Sequence, residues 1–226
     1  MSAGNLTFVT TADGSKTIFN PVVGENYHSK HGALQESQHV FLRSGLQYFL
    51  SKSQKNNVSI LEIGFGTGLN FLVSADFCMQ NKVSLLYSGI EAYPLSSDMI
   101  AATGYKEYID NSLYAAFLDQ YLICQAQNSK LNEYAALEIH CCELLEFTTT
   151  DTFDVIYFDA FASIHQPEMW THEALEQCCR YLKQGGVFVT YAITGDLKRT
   201  MKKLGFEIEK APGAPGKREM LRAVKI

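Results

Sequence analysis

A doubly wound α/β sheet with a reversed last strand is the fold this sequence predicts, on three observations. From residue 58 onward, short apolar runs of strand type alternate with longer segments of helix type. A glycine-rich turn, Gly64-Phe65-Gly66-Thr67-Gly68, joins the first of those runs to the first of those helices. The last two strands are separated only by Pro212–Lys217, too short for a helical crossover, so the final strand runs antiparallel to its neighbour.

Taken in order, residues 1–40 read as an extension. Short β-like pieces at Leu6–Thr10 and Lys16–Phe19 flank the Asp13-Gly14 turn, and a loop runs from Pro21 to Gly32. A helix over Leu34–Ser51 follows, with Val40, Phe41, Leu46, Phe49 and Leu50 on one face. The main domain, residues 41–226, then continues with the strand VSILEIG and the helix Leu69–Cys78. LLYSGIE is the next strand, and Ser96–Ala102 and Leu113–Gln127 are helical. ALEIHC, FDVIYFDAF and GGVFVTYA are strands, with the helix THEALEQCCRYL before the last of them. The basic helix DLKRTMKKLG and the strands FEIEKA and REMLRAVKI complete the chain. Strands that alternate with helices of this length imply crossover units and a mainly parallel sheet.

Composition narrows the class. A chain of 226 residues, 46% hydrophobic, builds one good core or at most two small domains. Fourteen Phe and 12 Tyr against five Pro exclude a disordered chain. No apolar run approaches the roughly 18 residues of a membrane span. The N-terminus lacks the basic-then-apolar order of an export signal, so a soluble cytoplasmic protein is expected. The six cysteines fit that compartment: Cys78, Cys124, Cys141, Cys142, Cys178 and Cys179 form no CxxC pair, and neither a disulfide nor a structural metal is expected. His28 and His31, with Glu25 and Glu36 nearby, do not supply the converging ligands that a metal needs. That loop is expected instead to fold over a bound cofactor, with Tyr27 and Ser29 lining the site.

Glycines at 64, 66 and 68 allow backbone to approach a ligand where a Cβ would collide. The helix that follows offers free N–H groups. The dinucleotide fingerprint needs its third glycine at position 69, which is Leu. The spacing E-x-G-x-G-x-G, from Glu62 through Asn70, instead resembles the first motif of class I S-adenosylmethionine methyltransferases, and S-adenosyl-L-methionine is the expected cofactor. A nucleoside needs an acid at the end of the next strand for its ribose hydroxyls, and Glu91 stands there. After the third strand, Glu143 is placed like the acidic residue that holds the adenine amino group in the enzymes this motif resembles, with Glu146 as its neighbouring competitor.

The fourth strand ends in Phe158-Asp159-Ala160-Phe161. Methyl transfer to an amine needs an unprotonated nitrogen lone pair, and a carboxylate at this strand end can orient the amine and take its proton. Asp159 is therefore the catalytic candidate, and Asp154, at the start of the strand, the weaker one. Phe161 and Trp170 can stack on a base, although Trp170 serves equally to pack the following helix.

Several motifs carry a family resemblance over about Tyr27 to Ile226. They are Tyr27-His28-Ser29 with Gly32-Ala33-Leu34-Gln35-Glu36-Ser37, the glycine loop with Leu69-Asn70, Phe158-Asp159-Ala160-Phe161-Ala162, Pro167-Glu168-Met169-Trp170, and Pro212-Gly213-Ala214-Pro215-Gly216-Lys217-Arg218-Glu219-Met220. In these the chain resembles the MnmD family, the methyltransferase of the tRNA 5-methylaminomethyl-2-thiouridine pathway and the N-terminal half of bifunctional MnmC. Ser163 and His28 depart from the family's Pro and Phe, and Thr194–Arg199 is a looser version of its Gly-Val-Arg-Arg segment.

The resemblance implies N-methylation of the 5-aminomethyl group on the wobble uridine of tRNA, with Asp159 activating the acceptor. It also implies the anticodon stem-loop as partner, without membrane or metal. The flavin oxidase half is expected to be absent, and a separate enzyme upstream to make the aminomethyl substrate. From Lys198 to Ile226 nine Lys or Arg stand against three Glu, so this segment carries +6 in a chain of −5. Lys198, Arg199, Lys202, Lys203, Lys217 and Arg218 are the expected phosphate contacts. Two other readings remain open at this point. One is a small-molecule amine N-methyltransferase or aminopropyltransferase of the same fold; the other is a SAM-binding partner subunit without catalysis.

Overall fold

The computed structural model describes residues 6–226; residues 1–5 of the expected extension lie outside them. The extension forms a small antiparallel sheet of β1 (Thr7–Thr10), β2 (Lys16–Asn20) and β3 (Glu25–Asn26). The turn that closes β1 on β2 is fastened by Asp13, whose Oδ1 accepts from the Thr11 hydroxyl and from the backbone N–H of Ser15.

A helical run over 33–53 follows, and its central part, Ser37–Gln47, is wound more widely than an α-helix. Val40 and Phe41 are buried, and so are Gly45 and Leu46 five residues on, a spacing that suits the wider turn. A Cβ at Gly45 would lie 2.9 Å from the Tyr157 ring, so this helix sits against the sheet at backbone distance. The boundary expected after residue 40 falls inside this run. Ala33, Val40 and Leu46 share one core with Ile18 of the extension.

The main sheet is built from β4 (Asn57–Ile63), β5 (Ser84–Ile90), β6 (Ser129–Lys130), β7 (Ala135–His140), β8 (Phe153–Phe158), β9 (Leu182–Thr190), β10 (Phe206–Pro212) and β11 (Glu219–Lys225). Its order is β10-β11-β9-β8-β4-β5-β7-β6. Neighbours from β9 through β7 pair in parallel. β11 is antiparallel to both β9 and β10, the reversed strand that the short connection requires. β3 and β6 went unforeseen because two residues carry no periodicity. β8 is buried along its whole length, as a continuous apolar strand covered on both faces must be.

The helix starts follow local chemistry. Ser96, Thr171 and Thr194 each accept a backbone N–H three residues on, and Asp110 accepts from Ser112 and Leu113. The chain winds from β4 to β5 on one side and places β8 on the other, so the order reverses between β4 and β8. Ligands enter such sheets at the carboxyl ends of the strands flanking that reversal. No helix among the described residues is long and apolar enough to cross a membrane.

Candidate active site

A cleft of about 1010 Å³ opens at that point. Its walls come from the glycine loop, the segment after β5, the segment after β8, the 25–36 region and Lys217. Gly64 is the tightest position. Its φ is +86°, and a Cβ there would lie 2.6 Å from the carbonyl oxygen of Asp159. Backbone bonds pin it on both sides: Gly64 N–H donates to Ile90 O, and Asp159 N–H donates to Ile63 O. The cofactor loop and the segment bearing Asp159 thus touch through backbone alone.

Glu91 lies at the end of β5. Its Oε2 accepts from Gly66 N–H at 2.9 Å, and its Oε1 accepts from Tyr93 N–H at 3.0 Å. Each oxygen keeps a lone pair for a hydroxyl donor. Burial pushes this carboxyl above its ordinary range, and the two N–H donors work against that rise. Glu143 also lines the cleft and accepts from the Tyr93 hydroxyl at 3.1 Å, whereas Glu146 takes no part in the wall. Tyr27 reaches over the loop, its ring edge-on to Phe161 with centroids 5.2 Å apart. Ser29 lies beside it, its N–H donating to Glu36 Oε1.

Asp159 is the carboxyl on the β8 side of the cleft. Its Oδ2 accepts from Asn70 Nδ2 at 2.8 Å, and no described residue donates to Oδ1. Burial, with Glu36 and Glu25 nearby, pushes its pKa up to about 8, against the opposing pull of Asn70 and Lys217. Tyr191 closes this side, its hydroxyl donating to Ala160 O.

Several expected site residues stand elsewhere. Glu62 does not line the cleft; it is 0% exposed, with one oxygen taken by Asn70 and the other by the Tyr87 hydroxyl. The alternation of β4 turns its side chain beneath the loop. Phe65 contributes backbone only, because its ring is buried against Gly89 and Phe117. Trp170 is not among the residues that line the cleft. Its ring packs on Phe158 at 5.0 Å, and its Nε1–H donates to Phe161 O at 2.7 Å, so it props the acceptor loop from behind.

Lys217 is no free phosphate contact. Its Nζ pairs with Glu36 Oε2 at 3.2 Å and sits 3.7 Å over the Tyr191 ring, inside the cleft. Its loop is seated by Gly216, where a Cβ would strike the His31 ring. Arg218 is exposed beside it. The helix Gly195–Lys203 begins just after β9 at the cleft end and runs back from there. Lys198 and Arg199 thus stand nearer the cleft, and Lys202 and Lys203 at its far end. Asp154 is held at the opposite end of the sheet by Lys55 and Lys183. The ring nitrogens of His28 face the hydroxyls of Thr17 and Thr67, and burial drives its pKa down to about 4.

Glu25, Glu36 and Tyr191 had no acceptor-site role in the sequence reading. Glu25 stands there only as a neighbour of the His pair and Glu36 only as such a neighbour and as a motif residue, and nothing in the spacing brings residue 36 to residue 217.

A family profile described as S-adenosyl-L-methionine-dependent methyltransferase matches residues 107–226, more than half of the chain. The chain belongs to this family. This methyltransferase is 29% identical to the tRNA 5-methylaminomethyl-2-thiouridine biosynthesis bifunctional protein MnmC of Magnetococcus marinus, over 98% of its own length. It is 31% identical to the MnmC of Leptospira interrogans over 86% of its length. The chain spans about a third of the length of these relatives, 35% and 32% respectively. Among solved structures, MNMC2 from Aquifex aeolicus superposes with a TM-score of 0.78 at 23% identity, covering 98% of this chain and 71% of that one. The magnesium protoporphyrin IX methyltransferase of Synechocystis, solved with bound SAM, gives 0.54 at 12% identity, covering 86% and 81%. Both likenesses concern the fold.

The residues present fit S-adenosyl-L-methionine. The loop around Gly64 leaves no room for a Cβ, and a carboxylate with free lone pairs stands at the end of β5. A second carboxylate, Glu143, lines the same cleft. Hydrogen bonds to a charged acceptor contribute about 1.5–3 kcal/mol each. Glu91→Ala removes the carboxylate at the end of β5 and frees Gly66 N–H, so the Kd for S-adenosyl-L-methionine is expected to rise at least about tenfold. Isothermal titration checks this, and an unchanged Kd removes Glu91 from the cofactor site.

Proposed function

We propose that this protein N-methylates the 5-aminomethyl group of the tRNA wobble uridine, giving the 5-methylaminomethyl group. One observation carries the reading: the partner-free Oδ1 of Asp159 stands among Glu25, Glu36 and Tyr191, an acidic surround suited to a cationic amine. The names of the MnmC relatives support it, as does the motif set from Tyr27 to Met220. A cleft of this size accommodates a nucleoside beside the cofactor.

Bound S-adenosyl-L-methionine supplies an electrophilic methyl group on a sulfonium. The rest falls to the chain. Asp159 takes one proton from the acceptor ammonium at Oδ1 and leaves R–NH2 with its lone pair free. That lone pair would accept the methyl group that the bound sulfonium supplies, the sulfonium leaving as a neutral thioether. The product is a secondary ammonium, whose positive charge faces Glu25 and Glu36.

The magnitudes favour Asp159 as base. An alkylammonium with a pKa of roughly 10.4, as in lysine, lies about 2 units above Asp159, so the proton transfer costs about 3 kcal/mol. An ordinary aspartate near 3.9 would leave a gap of roughly 6 units and about 9 kcal/mol. Burial of the carboxyl thus removes most of that cost.

The test is methyl transfer from labelled S-adenosyl-L-methionine to tRNA bearing 5-aminomethyl-2-thiouridine, read by nucleoside mass spectrometry. A gain of one methyl on that nucleoside is expected. No gain with cofactor binding intact would redirect the search to small amines. The basic rim is the proposed tRNA contact, with Arg218, Lys198 and Arg199 nearest the cleft, and phosphate contacts of this kind fix position and weaken with salt. Replacing the exposed Arg218 by Ala is expected to raise the KM for tRNA about two- to threefold and to leave cofactor affinity nearly unchanged. An unchanged KM would take this loop out of the tRNA site.

A further inference from the structure

Asn70 stands at the second position of the helix Leu69–Asn81, 3% exposed, and its single amide nitrogen serves two carboxyls. Nδ2 donates to Glu62 Oε1 at 2.8 Å and to Asp159 Oδ2 at 2.8 Å. Glu62 is anchored in turn by the Tyr87 hydroxyl at 2.8 Å on its other oxygen. Tyr87 is fully buried, with its ring edge-on to Phe71. A line of side chains therefore runs from the core under β5, through β4, to the acceptor carboxyl.

Burying one carboxyl close to another is costly, and a glycine loop does not need it. Gly64 and Phe65 are already held by backbone bonds to Ile90 O. Glu62 has no surface in the cleft, and its oxygens are occupied from inside the protein. The arrangement does something specific to Asp159: it takes up Oδ2 and fixes the carboxyl plane, so that Oδ1 alone meets the acceptor.

We infer that Asn70, braced by Glu62, is a positioning residue that holds Asp159 in the orientation needed to take the proton, and is not a cofactor ligand. This rests on the reading of Asp159 as the base in amine methylation. A carboxyl free to rotate would offer either oxygen at many angles, and a misplacement near 1 Å costs about a hundredfold in rate. The donated bond also favours the ionised carboxyl. The other charged or titratable groups facing Asp159 are Glu36, Glu25, Lys217 and Tyr191, none of them on the helix that carries Asn70.

The test compares Asn70→Ala, Glu62→Ala and Asp159→Asn in cofactor binding and in the pH dependence of methyl transfer to the aminomethyl nucleoside in tRNA. For Asn70→Ala, kcat is expected to fall about 10- to 100-fold. The rising limb of the pH profile should move up by about half a unit to one unit, while the cofactor Kd and both KM values stay within about threefold. Glu62→Ala leaves the amide in place without its brace and should lower kcat by a smaller factor at unchanged cofactor Kd. It should not move the limb up, because a neighbouring carboxyl goes with the brace. This variant serves if Asn70→Ala does not fold by circular dichroism. A raised cofactor Kd with an unmoved pH limb would overturn the inference and make Asn70 a cofactor ligand. Full activity of Asn70→Ala beside an inactive Asp159→Asn would overturn it too, leaving the methylation reading intact. An active Asp159→Asn would remove the base and with it this inference, while the methyl gained would leave the methylation reading standing.

Discussion

Asp159→Asn should lower kcat for methyl transfer by about 10²–10⁴, the span that a positioned base contributes, while leaving cofactor affinity within a few-fold. The amide keeps the shape and can still meet Asn70, but it cannot accept the amine's proton. The pH dependence carries the same information. Because burial holds Asp159 near 8 and only its carboxylate can act, kcat/KM of the unsubstituted enzyme should rise as pH increases through about 8. The variant should lose the break near 8 and rise instead with unit slope toward the acceptor's own ionisation at roughly 10.4. Initial rates from pH 6 to 10 decide it. A flat wild-type profile across pH 7–9 would show that Asp159 is already ionised and is not the group being titrated. The same burial has a cost in stability. In the unfolded chain Asp159 ionises near its ordinary value, so between about pH 4 and 8 the native state binds the extra proton and stability contributed here falls with rising pH.

Gly64→Ala is the second large effect, and it differs in kind. A left-handed backbone costs an L-residue about 1–2 kcal/mol, and the new Cβ would meet the Asp159 carbonyl oxygen at 2.6 Å and its carbonyl carbon at 3.1 Å. Neither strand end can retreat, because Gly64 is bonded to Ile90 and Asp159 to Ile63. The strain should therefore appear in both halves of the site at once. The melting temperature should fall by several degrees, at about 2–4 °C per kcal/mol for a chain of this size. Cofactor affinity and kcat should be lost together, where Asp159→Asn loses only kcat. Calorimetry with titration of S-adenosyl-L-methionine separates the two; a normal Kd in Gly64→Ala would mean that the loop yields without disturbing the binding surface.

The half of the site that was legible in the sequence is the half made locally. Gly64 to Asn70 follow β4 directly, and Glu91 closes the very next strand, so a single crossover unit places both and its rhythm can be read without coordinates. The acceptor half is assembled from far apart. Glu36 meets Lys217 across 181 residues, and His39 Nε2 lies 2.7 Å from Pro212 O across 173. No periodicity reports such encounters, and a lysine in a basic segment reads as a surface charge until its carboxylate partner is seen. Glu62 and Trp170 show a different limit. Their places at a strand end and after a strand were right, but the facing of each side chain was decided by partners, Tyr87 and Asn70 for one, Phe158 and the Phe161 carbonyl for the other. The reversed strand was legible because chain length alone forbids a crossover there.

That reversed strand also sets an order of assembly during synthesis. β11 lies between β9 and β10 yet is the last of the eight strands to leave the ribosome. Until it arrives, β9 has an open edge next to β8, the most buried strand of the sheet, and nascent chains carry an unpaired apolar ladder. Lys217 precedes β11 by two residues, so the same late insertion brings the amine that pairs with Glu36. Ribosome-bound chains stopped before Glu219 should hold the glycine loop and Glu91 already built, while the acceptor side is still open. The interval before β11 inserts is when the unpaired edge of β9 leaves this chain most in need of protection from its neighbours.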